Sequence, residues 1–284
     1  METPEQAEYC SNLPIPETPQ AIVAPSPDNP PWQAWEAVGV WFASVLFIVI
    51  VPAIFLLPYL AMNGVQLTDS EALVEFAKTD AMSIVVQIAA IVPAHLLTVA
   101  LAWFVVTRGK RFSFKEMLGW RSGGFAWWQY IAVLVGFGLI AVAVGNFIPE
   151  QENDLIRILK SSRMAVFMVA IVATLTAPFV EELVYRGVLY PAFQRAMGVP
   201  AAFLLVTFLF ALVHVPQYWP STSTILLLTL LSMILTAIRV KTGNLLPCVI
   251  FHTIFNGFQS ILLIIEPFLN LQELQQQTTS LLIK

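Results

Sequence analysis

Long apolar runs constrain this chain more than any other feature. An α-helix needs about 20 consecutive, mainly apolar residues to cross the hydrocarbon core of a bilayer. Seven candidate spans follow from the apolar runs and their polar flanks: Trp35–Ala61, Met82–Val106, Trp127–Ile148, Met164–Val184, Ala201–His214, Thr222–Ile238 and Leu245–Ile265. Composition agrees, with 58% hydrophobic and only 11% charged residues, against roughly 25% charged in soluble domains. Too little polar material is present to coat a soluble globule. The expected fold class is therefore all-α, a polytopic transmembrane helical bundle of about seven to eight spans. The eighth would be a half-span near Pro267–Lys284.

Residues 1–31 read differently. They are rich in Pro and Glu and contain no Lys or Arg, a composition that buries too little apolar surface to offset its ordering entropy. We expect a disordered tail over 1–31 and a membrane domain over 32–284, in the cell membrane. The net charge of −4 comes largely from that tail and implies no nucleic-acid partner. The two cysteines, Cys10 and Cys248, suggest neither a metal knuckle nor a disulfide framework. Residues 1–30 lack the basic and apolar regions of a cleavable signal peptide. Basic residues set an expected orientation. Arg108, Lys110, Arg111, Lys115, Arg121, Arg186, Arg195, Arg239 and Lys241 follow even-numbered spans. Lys78, Arg157, Lys160, Arg163 and Lys284 fall on the other side. The larger group should face the cytoplasm, with the N-terminus inside.

Ionisable groups inside a bilayer cost about 2.5–3.5 kcal/mol each for Asp, Lys or Arg on insertion scales, so those that persist are functional candidates. Of the 18 acidic residues, Glu181 and Glu182 alone fall within a predicted span rather than at its ends. Residues at i and i+4 share a helix face, which pairs Glu182 with Arg186 and leaves Glu181 to point into the bundle. The same spacing aims His252 and Asn256 at one point, and stacks Phe210 one turn below His214. His95 has only Thr98 and Pro93 for company and reads as structural.

The motifs Glu181-Glu182-x-x-x-Arg186, Phe210-x-x-x-His214 and His252-x-x-x-Asn256 occur in order on three predicted helices. Together they resemble the CPBP family of intramembrane endopeptidases, which includes the type II CAAX prenyl proteases and bacteriocin-processing (Abi) proteins. The resemblance covers about Met164–Ile265, and 164–265 is the expected catalytic core. It implies that Glu181 and His214 activate water, that His252 and Asn256 stabilise the oxyanion, and that Glu182 and Arg186 brace the first helix. It also implies a membrane-tethered substrate: a prenylated CAAX-like tail, a leader peptide or a bacteriocin-type peptide. No cofactor is favoured, because asparagine is a poor zinc ligand and a good oxyanion donor. The metalloprotease-like alternative is a divalent metal, zinc, on Glu181, His214 and His252.

Other classes stay open. A transporter also places Glu and His inside a bundle, although no internal repeat is visible. A non-catalytic immunity or scaffold protein of the same family, and a bis-histidine haem span on His214 and His252, are further readings. One geometric conflict accompanies the enzyme reading. With spans ending at Val184 and starting at Ala201, His214 sits about 20 Å deep while Glu181 stays near the inner face. The two meet only if helices tilt, break at Pro191 or start away from the bilayer boundary.

Overall fold

The computed structural model describes residues 24–66 and 68–265. Seven helices in it are long and apolar enough to cross a membrane. These are α1 (Ala34–Met62), α3 (Ala81–Thr107), α5 (Trp127–Phe147), a compound helix over Arg163–Met197, α10 (Val199–Tyr218), α11 (Thr222–Thr242) and α12 (Leu246–Ile265). The compound helix is built from α7 (Arg163–Leu175), α8 (Ala177–Glu182), a π-helical turn (Leu183–Leu189) and α9 (Tyr190–Met197). Shorter helices α2 (Ser70–Thr79), α4 (Phe114–Leu118) and α6 (Asp154–Ser161) lie in the connections. The described residues form no strand, only an isolated bridge between Ser26 and Asn29. The chain is an integral, multi-pass membrane protein.

The bundle is apolar outside and partly polar within. Leu96, Leu139, Val142 and Leu204 are exposed, whereas Glu182, Arg186, Ser232 and Thr236 are fully buried. Lipid offers no hydrophobic reward for burying leucine, so association relies on packing and interhelical hydrogen bonds. Local signals set the helix ends. Asp69, Asp80, Ser113, Asn153 and Ser162 each accept from a backbone N–H in the first turn of the following helix, satisfying donors a helix leaves free. Gly119 and Gly243 end α4 and α11 in left-handed conformations.

Three expectations need correction. The fourth span does not end at Val184 but continues through α9 to Met197, and the turn comes at Gly198. The sixth runs past Ile238 to Thr242, so Arg239 is a buried helix residue rather than a loop charge. The tail is not free through residue 31, because residues 27–32 are tied to the bundle by side chains. Arg239 pairs with Asp28 at 2.8 Å and donates to the Pro27 carbonyl at 2.8 Å. Arg195 donates to the Pro30 and Trp32 carbonyls, and Arg108 to the Pro31 carbonyl and Glu36. The indole of Trp32, fully buried, donates to the Val188 carbonyl at 3.0 Å. Composition missed this because the arm is ordered by its partners, not by its own apolar content. Residues 1–23 and the half-span near Pro267–Lys284 lie outside the described residues. Arg108, Arg195 and Arg239, at or near the C-terminal ends of the second, fourth and sixth spans, thus converge on one arm, at one end of the bundle.

Candidate active site

The Gly198 turn resolves the depth conflict. Glu181 lies 17 residues before it and His214 16 residues after it, roughly 25 Å of helix on either side at 1.5 Å per residue. The two residues therefore sit at matching heights on a helical hairpin, with no break at Pro191.

The compound helix is irregular where it carries these side chains. It is interrupted at Thr176, just before Pro178, which has no N–H to give to the preceding turn. Three side-chain bonds hold the region around the interruption. Asn256 donates its amide to the Ala173 carbonyl at 2.8 Å, Thr174 bonds Ser260 at 3.0 Å, and His95 bonds Thr176 at 2.9 Å. His95 thus makes an interhelical contact, as a structural residue should. Beyond Glu182 the helix widens into the π-turn, a feature frequent at functional sites.

The adjacent glutamates occupy different environments. The Glu182 carboxylate is completely buried and accepts from Arg186 Nη1 at 2.9 Å and from His252 Nδ1 at 2.9 Å, both on Oε1. Arg186, also completely buried, spends its other donors on α11: Ser232 carbonyl at 2.8 Å, Ser232 hydroxyl at 2.7 Å and Thr236 hydroxyl at 3.3 Å. Glu181 is a quarter exposed, and its Oε2 stands 3.8 Å from His252 Nε2. That separation is too long for a hydrogen bond, but a single oxygen can lie beside the pair within reach of both.

Both histidines are held by the same nitrogen. A carbonyl only accepts, so the 2.7 Å contact of His214 Nδ1 with the Phe210 carbonyl puts a proton on Nδ1 and, in neutral imidazole, a lone pair on Nε2. The Glu182 carboxylate fixes a proton on Nδ1 of His252 in the same way. Phe210 lies between the two: its ring centroid is 4.7 Å from His214, 6.3 Å from His252 and 5.0 Å from Tyr185. It also lies 4.9 Å from the Arg186 guanidinium carbon. Trp41 of α1 donates to the Tyr185 hydroxyl at 3.1 Å. Glu181, Glu182, Arg186 and His252 are therefore one cluster, His214 adjoins it across Phe210, and Asn256 lies one turn from His252 on the Ala173 carbonyl.

The zinc alternative asks for Glu181, His214 and His252 around one point. Among the described residues no three His, Cys, Asp or Glu side chains are grouped to hold an ion. The family model of the type II CAAX prenyl endopeptidase Rce1-like domain matches residues 163–258, from the start of α7 into α12. The chain carries an Rce1-like domain. At family level this is the domain of a CAAX-type membrane protease, in keeping with the CPBP resemblance. Neither a curated protein nor a solved structure matches the chain. Every motif residue from Glu181 to Asn256 lies inside the Rce1-like domain. Several residues around it were missed from sequence, namely Ser232, Thr236, Arg239 and Trp41. The Ser232, Thr236, Arg239 spacing of i, i+4, i+7 puts all three on one face of α11, and was the available signal.

Proposed function

We propose that the protein is an intramembrane endopeptidase that hydrolyses a peptide bond in a membrane-tethered substrate such as a prenylated CAAX-like tail. The observation that carries this reading is the quarter-exposed Glu181 set 3.8 Å from the Nε2 of a His252 whose other nitrogen is clamped by a fully buried Glu182–Arg186 pair. A structural ion pair needs no second carboxylate facing it, and a further ionisable group at this depth is costly.

Glu181 takes one proton of a water molecule that His214 Nε2 orients by accepting its other hydrogen, and the water oxygen attacks the scissile carbonyl carbon. The π-electron pair of that carbonyl moves onto its oxygen. His252, donating from Nδ1 to Glu182 in its imidazolium form, presents Nε2–H to the oxyanion, and Asn256 offers the N–H not used by Ala173. Collapse of the tetrahedral intermediate breaks the C–N bond, and the proton taken from water passes to the leaving amine. Preorganised donors of this kind contribute roughly 10²–10³ in rate each. General acid–base transfer contributes typically about 10²–10⁴. The side chains supply every step of this scheme.

The test is cleavage of a farnesylated CAAX reporter peptide by detergent-purified full-length protein. Wild type should release the residues beyond the prenylated cysteine. Glu181→Gln, which keeps shape and removes the base, should lower turnover by about 10²-fold or more while inserting normally. An inert wild type, or near-normal activity in Glu181→Gln, sinks the reading.

A further inference from the structure

The widened turn behind the site creates a carbonyl that its own helix cannot satisfy. The Tyr190 N–H bonds back five residues to the Tyr185 carbonyl. The next residue, Pro191, has no N–H. Neither the i+4 nor the i+5 donor thus reaches the Arg186 carbonyl. That carbonyl belongs to the residue whose guanidinium holds Glu182, and it lies in a fully buried stretch, where an unmade hydrogen bond is expensive. Arg239 supplies the missing donor through Nε at 3.2 Å. Its remaining donors go outward, to Asp28 and the Pro27 carbonyl, each at 2.8 Å, with Tyr190 beneath its guanidinium at 5.5 Å. Arg239 is 1% exposed and Asp28 50% exposed. A buried cation is thereby neutralised by one surface carboxylate on a short arm. Two residues further along the π-turn, Trp32 of the same arm holds the Val188 carbonyl.

We propose that Asp28 and Arg239 are positioning residues of the active site: the N-terminal arm, acting through Arg239, fixes the π-turn and with it the Arg186–Glu182–His252 relay. The functional consequence rests on the peptidase reading above; the mechanical coupling does not. A buried arginine stripped of its carboxylate has reason to leave for water. When it leaves, the Arg186 carbonyl loses its donor and the turn that sets Glu182 against His252 is freed. The arm is therefore a handle on catalysis that reaches the surface without touching substrate. Arg239→Lys retains charge, yet a single ammonium cannot span the inward carbonyl and the outward carboxylate as the planar fork does.

Two measurements on full-length protein in detergent or nanodiscs test this: amide hydrogen exchange by mass spectrometry, and kcat and KM on the farnesylated reporter. Asp28→Asn and Arg239→Lys should each speed exchange over Leu183–Met197 by roughly tenfold or more, the equilibrium weight of one hydrogen bond to a charged group. Exchange over Ala81–Thr107 should not change. The same variants should lower kcat by about tenfold, the scale of outer-shell partners, with KM nearly unchanged, and Asp28→Glu should restore both. Unchanged exchange over Leu183–Met197 overturns the proposal, as does an equal rise throughout the bundle, which marks plain destabilisation. A local rise in exchange with kcat intact overturns the positioning role. If wild type proves inert on the reporter while exchange responds locally as described, the coupling stands and the peptidase reading falls.

Discussion

Glu181 and Glu182 differ by one residue and about 100° of helix rotation, and that rotation separates a reactive carboxylate from a supporting one. Spacing alone identified the Glu182–Arg186 pair, because an i, i+4 contact depends on nothing outside the helix. It did not show that the same Glu182 oxygen also holds His252, 70 residues away, because no local pattern encodes a contact between helices. His214 illustrates the same limit in reverse. Its Nδ1 bond to the Phe210 carbonyl is a local i, i+4 feature, whereas its approach to His252 depends on the Gly198 hairpin. Asn256 carries the sharpest question at this scale, since its amide already holds the Ala173 carbonyl. As an oxyanion donor through its second N–H, it acts mainly in the transition state. Asn256→Ala should then lower kcat and kcat/KM together by roughly 10²–10³. Asn256→Asp should be worse, because a carboxylate would face the developing negative charge. If Asn256 only pins the helix interruption, both variants will lose thermal stability while kcat on the reporter stays near wild type.

Helix existence was legible from apolar runs, and most span ends fell within a few residues of those observed. The fourth was misjudged at its end, since Tyr185, Arg186 and Arg195 look like the polar end of a span. Instead Arg186 is absorbed by Ser232 and Thr236 of α11, so the helix stays inside the bundle past its own charge. This interlocking of two elements has a measurable signature. Arg186→Ala leaves Glu182 buried without its guanidinium and should cost about 3–5 kcal/mol, the range for breaking one side of a buried ion pair. Glu182→Gln/Arg186→Gln removes both charges and should be milder than Arg186→Ala, because what remains is a neutral, hydrogen-bonding pair. Thermal unfolding in detergent compares them. A double variant as unstable as Arg186→Ala means that the two charges are not coupled as their 2.9 Å contact requires.

At the scale of the whole molecule, the arm over residues 27–32 gathers Arg108, Arg195 and Arg239, residues at or near the C-terminal ends of the second, fourth and sixth spans. The sequence assigned these ends to one side by counting charges, and the structure brings them to one end of the bundle by direct contact. Which face of the membrane that end occupies follows from the positive-inside rule: with the buried Arg186 and Arg239 set aside, seven Lys and Arg stand against five, an excess that favours the cytoplasm. Cysteine accessibility measures it. In a Cys10→Ser/Cys248→Ala background, which removes both native thiols, single cysteines are introduced at Lys115, in α4, and at Glu152, beside α6. Both positions are exposed and lie in connections at opposite ends of α5. A membrane-impermeant maleimide added to intact cells should label the cysteine at 152 and spare the one at 115, with 115 labelled only after the cells are opened. The reverse pattern would place the arm and its three arginines outside. Charge steering by Lys and Arg would then have been overridden, and any regulator acting through Asp28 would have to approach from the extracellular side. The expected pattern instead makes Asp28, half exposed beside a buried Arg239, accessible to cytoplasmic factors, on the same side as the ends of the two helices that carry Glu181 and His214.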